Sequence, residues 1–104
     1  MEMMNKVQLK GFVGNVRKTN VGNTNAVRFS VATDYTYISR DGTPVVETTW
    51  HQCLAWSDTI TDADKLKKAD NVDLSGRIRM QKYMGADGSE RQIYEILVNY
   101  LKIL

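Results

Sequence analysis

The run Glu47-Thr48-Thr49-Trp50-His51-Gln52-Cys53-Leu54-Ala55-Trp56 carries both tryptophans of the chain, six residues apart. Its threonine and aromatic content reads as a strand. Trp50 and Trp56 share strand parity, so a regular strand sends both indoles to one face. A buried indole N–H still needs a hydrogen-bond partner, which makes tryptophan a sparing choice for a core. Two large flat rings on one strand read instead as a platform on which nucleic-acid bases stack.

Working outward, Ser39-Arg40-Asp41-Gly42-Thr43-Pro44 precedes this strand, and its Asp-Gly pair signals a hairpin. The partner strand is expected over about Ala26 to Ile38, with Val27, Phe29 and Val31 on one face and Arg28, Ser30 and Ala32 on the other. Tyr35 and Tyr37 lengthen it beyond what a compact core requires. Before it lie an Asn-rich turn over 20–25 and a first strand over 5–18, interrupted by Gly11 and Gly14. Glycine inside a strand marks a bulge or bend, which a small barrel needs at its corners.

Downstream, Ser57 to Lys68 reads as a short helix, with Ser57 as its N-cap, acids early and lysines late. Its few apolar residues, Ile60, Ala63 and Leu66, suffice to cover one end of a barrel. Asn71 to Met84 is the cleanest strand. Val72, Leu74, Gly76, Ile78 and Met80 alternate there with a face that carries Arg77, Arg79, Gln81 and Tyr83. A second Asp-Gly turn, Asp87-Gly88, leads to a last strand over 91–104. Three strands, a short helix and two strands give an all-β fold, and this is the element order of a five-stranded OB-fold barrel, β1-β2-β3-α-β4-β5. The order alone also permits an SH3-like barrel or a small sandwich.

The 104 residues fit one domain over 1–104, large enough for a core without disulfides or metal. With 42% hydrophobic and 25% charged residues the composition is globular rather than disordered. The formal net charge is only +2, so any polyanion must be held by local placement of cations rather than by the field of the whole protein. Cys53 is the single cysteine, which excludes an internal disulfide and fits a reducing compartment. No signal peptide and no run of roughly 18 apolar residues is present, and the expectation is a cytoplasmic protein without membrane contact.

In order along the chain, several short motifs resemble the bacterial single-stranded DNA-binding protein (SSB) family. They are Met4-Asn5-Lys6-Val7 with Gly11 and Gly14, Phe29-Ser30-Val31-Ala32-Thr33, Thr49-Trp50-His51, and Gly76-Arg77-Ile78-Arg79 through Lys82-Tyr83 and Asp87-Gly88. The resemblance runs from Met4 to the last residue. It implies a non-catalytic OB-fold that coats single-stranded DNA during replication, recombination and repair, as a homotetramer or a dimer, near the nucleoid. Tyr37, Trp50, Trp56 and Tyr83 match the family's stacking aromatics. Lys6, Arg79 and Lys82 match its basic positions, and Arg28 and Arg77 extend the basic set by their placement on the strands. The resemblance also places His51 near a subunit contact. Two departures stand out. Ala69 replaces the glycine usual after the helix, and the chain stops at Leu104, without the long extension whose acidic tip recruits partners. A tail-less member, from a phage or mobile element or as a shortened form, is expected. The alternative is an OB-fold adaptor of the primosomal type, working mainly through protein contacts.

Other chemistries find little support. His51 and Cys53 are two apart, but a structural zinc site needs about four ligands, and a Cys–His nucleophile lacks a supporting acid. Asp58, Asp62 and Asp64 lack the glycine and glutamate of an EF-hand loop. No enzyme activity and no cofactor is expected. Tyr94 and Tyr100 read as packing or subunit contacts.

Overall fold

The computed structural model describes residues 1–104. Five strands, β1 (Val7–Val21), β2 (Thr24–Ile38), β3 (Pro44–Trp56), β4 (Asn71–Met84) and β5 (Glu90–Ile103), close into a barrel in the order β1-β2-β3-β5-β4. The closure depends on β1, which pairs with β4 from Val7 to Phe12 and with β2 from Phe12 onward. Its register against β2 shifts between Val13 and Val16, where Gly14 lies, so the expected glycine bend is present. Gly76 marks a second irregularity. A Cβ there would lie 2.2 Å from the carbonyl oxygen of Leu97, so only glycine lets β4 and β5 approach this closely.

The core holds Val27, Phe29 and Val31 of β2, Cys53 and Ala55 of β3, Val72 and Leu74 of β4, and Ile96, Val98 and Leu101 of β5. The expected inward face of β2 is thus the buried one, and that of β4 holds for Val72, Leu74 and Gly76; beyond the register shift at Ser75/Gly76 the strand leaves the barrel, and Ile78 and Met80, expected inside, are exposed. The β2–β3 ladder runs without interruption from Ala26↔Trp56 to Ile38↔Pro44, and its distal half, with Tyr35 and Tyr37, projects beyond the barrel. The β4–β5 hairpin forms a second arm. Both hairpin tips have glycine in the left-handed region, Gly42 at φ +86° and Gly88 at φ +82°. At the first tip the Asp41 carboxylate accepts hydrogen bonds from the Ser39 hydroxyl and, at 3.0 Å, from the Thr43 N–H. Those bonds hold its carboxyl down to about 2.

The expected helix over 57–68 is not formed. The segment contains a single 3-10 turn, Thr61–Lys65. The apolar residues explain the difference. Ile60, Ala63 and Leu66 recur every third residue, which matches a 3-10 spiral of 3.0 residues per turn and not an α-helix of 3.6. Ala63 and Leu66 are buried and Ile60 packs against the core. Ser57 is not an N-cap either: its hydroxyl accepts the Asn25 N–H at 2.9 Å, tying the end of β3 to the start of β2.

Ala69 adopts φ +77°, the left-handed region that glycine would occupy without penalty. Two backbone hydrogen bonds hold it there, Ala69 N–H to Val13 O and Val13 N–H to Asp70 O, both 2.8 Å. A left-handed alanine costs about 1 kcal/mol. Ala69→Gly is therefore expected to stabilise the fold by about that amount, read as a raised thermal midpoint; an unchanged or lowered midpoint contradicts the strain.

Candidate nucleic-acid interface

Between the two arms lies an open groove of about 910 Å³ on the outer surface of the barrel. The sheet register explains which side chains face it. Cross-strand partners point to the same side, so Ala32↔Trp50, Ser30↔Gln52, Arg28↔Leu54 and Ala26↔Trp56 share one parity, opposite to Phe29 and Cys53, although Leu54 and Ala26 of this set are buried and do not reach the groove. Arg28, Ser30, Trp50 and Gln52 line the groove from β2 and β3, Gln81 from β4, and Ile93 and Glu95 from β5. Asn15, Arg17 and Lys68 complete its rim.

Trp50 is the main apolar surface here, 55% exposed although it sits near the middle of β3. Its indole rests on Gly14: a Cβ on Gly14 would lie 2.5 Å from Trp50 Cζ3 and 2.7 Å from the Ser30 hydroxyl oxygen. Gly14 thus lies in the irregular stretch of β1 and seats the ring. The Ser30 hydroxyl accepts the Asn15 N–H at 3.1 Å and fixes the floor beside it. Trp56 shares the Trp50 face by register and is half-buried.

The other expected aromatics are exposed but differently placed. Tyr83 is 50% exposed near the end of the β4–β5 arm. Tyr37 pairs with Val45, so its parity is that of Phe29 and Val31, opposite to Trp50. Its ring centroid lies 6.1 Å from that of Tyr35. The four rings therefore do not share one face, a consequence of strand parity that the sequence already contained.

The expected cations divide into two kinds. Lys6 and Arg77 are exposed and form none of the salt bridges of the structure, whereas Lys82 lies 3.5 Å from Glu90 across its hairpin. Arg79 gives two hydrogen bonds to Oε1 of Glu95, from Nε at 3.2 Å and Nη2 at 2.9 Å. Arg28 Nε stands 3.8 Å from Oε2 of the same carboxylate. Sequence reading missed Glu95, and also Arg17 and Lys68, which line the groove outside any ion pair. Glu95 was discoverable from parity, since it falls opposite Arg79 in a β4–β5 hairpin counted back from the Asp87-Gly88 turn. Arg17 and Lys68 meet only through the fold.

Burial and, secondarily, the charge of Glu95 push the Cys53 thiol up to about 12. His51 is shifted down by burial, and its Nε2 lies 2.8 Å from the Thr33 hydroxyl. Cys53 is thus a protonated core residue at neutral pH, unsuited to nucleophilic chemistry.

The chain was compared with known proteins. The profile of the single-strand binding protein family matches residues 4–104. A single-stranded DNA-binding protein of Neisseria meningitidis serogroup A is 40% identical over 104 residues, covering 97% of this chain and 60% of the relative. One of Bacteroides thetaiotaomicron is 34% identical over 106 residues, covering 97% and 66%. The chain thus spans about two thirds or less of the length of these curated relatives. Among solved structures, a Plasmodium falciparum SSB complex with ssDNA superposes with a TM-score of 0.87 at 26% identity, over 100% of this chain and 97% of the other. A deletion mutant of the single-stranded DNA binding protein from Thermus aquaticus shares the fold, with a TM-score of 0.80 at 14% identity over 97% of this chain and 50% of the other.

Two outcomes are expected from this geometry. Gly14→Ala should displace the Trp50 ring, seen as altered tryptophan emission in a protein that still melts cooperatively; unchanged emission would mean that the ring does not rest on Gly14. Cys53 should resist a thiol reagent at pH 8 in the native protein and react once the chain is unfolded, and fast native labelling would contradict its burial.

Proposed function

The chain belongs to the single-strand binding protein family, and from that premise we propose that it binds single-stranded DNA without sequence preference, holding bases by stacking and phosphates by scattered cations. The observation that carries this reading is Trp50, a large ring left exposed over a groove and seated on a glycine. A flat ring held open over a groove is a surface that a nucleic-acid base can cover. Every base has a π face, so stacking accepts any sequence and is worth about 1–3 kcal/mol per base. A duplex hides those faces and is disfavoured on geometry.

Trp56, Tyr37 and Tyr83 are the further platforms of this reading. Lys6, Arg28, Arg77 and Lys82 are its expected phosphate contacts, to which the groove-lining Arg17 and Lys68 are added. Arg79, also expected among them from the sequence, is paired with Glu95 in the free chain. The relatives named single-stranded DNA-binding protein and the neighbour solved as a complex with ssDNA support this assignment. On the same reading the protein acts in the bacterial cytoplasm on strands exposed during replication, recombination and repair, is not an enzyme, and assembles as a homotetramer or dimer.

Titration with oligo(dT) should quench tryptophan emission strongly, and duplex of the same length should respond weakly. Trp50→Ala should weaken binding by about 1–3 kcal/mol with the fold intact. Absence of binding at low salt would reject the DNA-coating role in favour of an adaptor that works through protein contacts.

A further inference from the structure

The most buried charge of the groove has the wrong sign for a site that receives a polyanion. Glu95 is only 6% exposed, yet it lines the groove together with Trp50, Gln52 and Arg28. Its two oxygens engage Arg79 from β4 and Arg28 from β2. These strands are not its equals as neighbours: β4 pairs with β5 along a full ladder, whereas β3 stands between β2 and β5. The β3–β5 seam beneath has only two paired positions, Cys53↔Ile96 and Leu54↔Leu97. The triad therefore spans the narrowest seam of the barrel, on the groove side.

The two arginines are not held alike. Arg79 has both Nε and Nη2 on one carboxylate oxygen at hydrogen-bonding distance, and its side chain is 28% exposed. Arg28 makes a looser approach at 3.8 Å and is 41% exposed. A carboxylate already fixed in place competes well against a phosphate that must be brought in and ordered. Pulling Arg79 away would also leave a buried anion short of a partner, which is strongly unfavourable.

We propose that Glu95 is an internal counterion and positioning residue of the groove, withholding Arg79 from DNA phosphates so that the triad offers one net positive charge rather than two. The inference rests on the reading that this groove takes single-stranded DNA. The chemistry it invokes is charge balance alone. With Arg79 committed, the groove floor attracts the strand weakly by charge and leaves stacking on Trp50 to set the hold.

The test is the salt dependence of oligo(dT) binding, followed by tryptophan quenching, for the wild-type chain, Glu95→Gln, and the neutral pair Glu95→Gln with Arg79→Gln. Each phosphate neutralised on a single strand contributes about 0.7 to the slope of log affinity against log salt. Glu95→Gln should steepen that slope by about 0.7, so that its gain in affinity is about threefold larger at 50 mM than at 200 mM salt. The neutral pair should return to the wild-type slope, because it removes a cation that touched no phosphate. A slope in the neutral pair shallower than wild type by about 0.7 would show that Arg79 contacts DNA with Glu95 in place, and would overturn the proposal. An unchanged slope in folded Glu95→Gln would overturn it too. Should Glu95→Gln fail to fold, the neutral pair, which buries no unmatched charge, decides. A wild-type chain that binds no oligo(dT) at low salt rejects the groove reading itself, and does so before any variant is compared.

Discussion

β1 pairs with two different strands, and the bend between its halves is the constraint on which everything else depends. Without it the sheet would remain open between β1 and β4, and the core residues of β2 and β4 would not face one another. Where β1 changes partner, a Cβ at Gly11 would lie 2.1 Å from the carbonyl oxygen of Ala32, so the close approach of β1 and β2 needs glycine there; three residues on, the bare Gly14 leaves room for an indole. Barrel closure and the placement of Trp50 thus fall within one short stretch of β1. Side chains at positions 11 and 14 would meet these neighbours, which separates the two glycines from those of the hairpin tips, where a Cβ at Gly42 or Gly88 meets nothing within 4 Å.

The strand pattern was legible because period-two alternation and Asp-Gly turns are local signals. β4 was read over Asn71–Met84, the observed bounds, and the other strands within a few residues of theirs. The Ser57–Lys68 segment was misread for a physical reason. Acids followed by lysines favour a helix, but so short a helix is marginal in water without tertiary support. The support available, three apolar residues spaced by three, suits a 3-10 turn. Ala69 was noted as a departure from glycine, and the left-handed φ there shows what that glycine would supply.

The aromatic and basic residues were legible by type and only partly by place. Parity put Trp50 and Trp56 on one face correctly, and the same rule separates Tyr37 from them. Charge was harder to read, because an alternating basic strand looks the same whether its arginines are free or paired. Arg77 and Arg79 share a face of β4, yet only Arg79 meets a carboxylate, since its register partner is Glu95 while that of Arg77 is Leu97. Pairing across a hairpin decides the fate of each charge, and a single strand does not display it.

These placements constrain how a flexible polyanion would run on the protein. Stacking on four rings, at about 1–3 kcal/mol each, would outweigh what a chain of net charge +2 gains from its field, particularly where salt screens exposed charges beyond about 8–10 Å. On the proposed reading the rings would set the path and the cations would follow it. Trp50 and Trp56 lie on the groove side of β3, Tyr37 lies on the reverse of the β2–β3 arm, and Tyr83 lies on the other arm. A strand that engages all four must cross the edge of the β2–β3 arm instead of lying flat in the groove. Arg17 and Lys68 line the groove that such a strand would meet. On the same reading Glu95 and Arg79 would stay beneath the DNA, holding the seam, while the more exposed Arg28 would remain open to a phosphate.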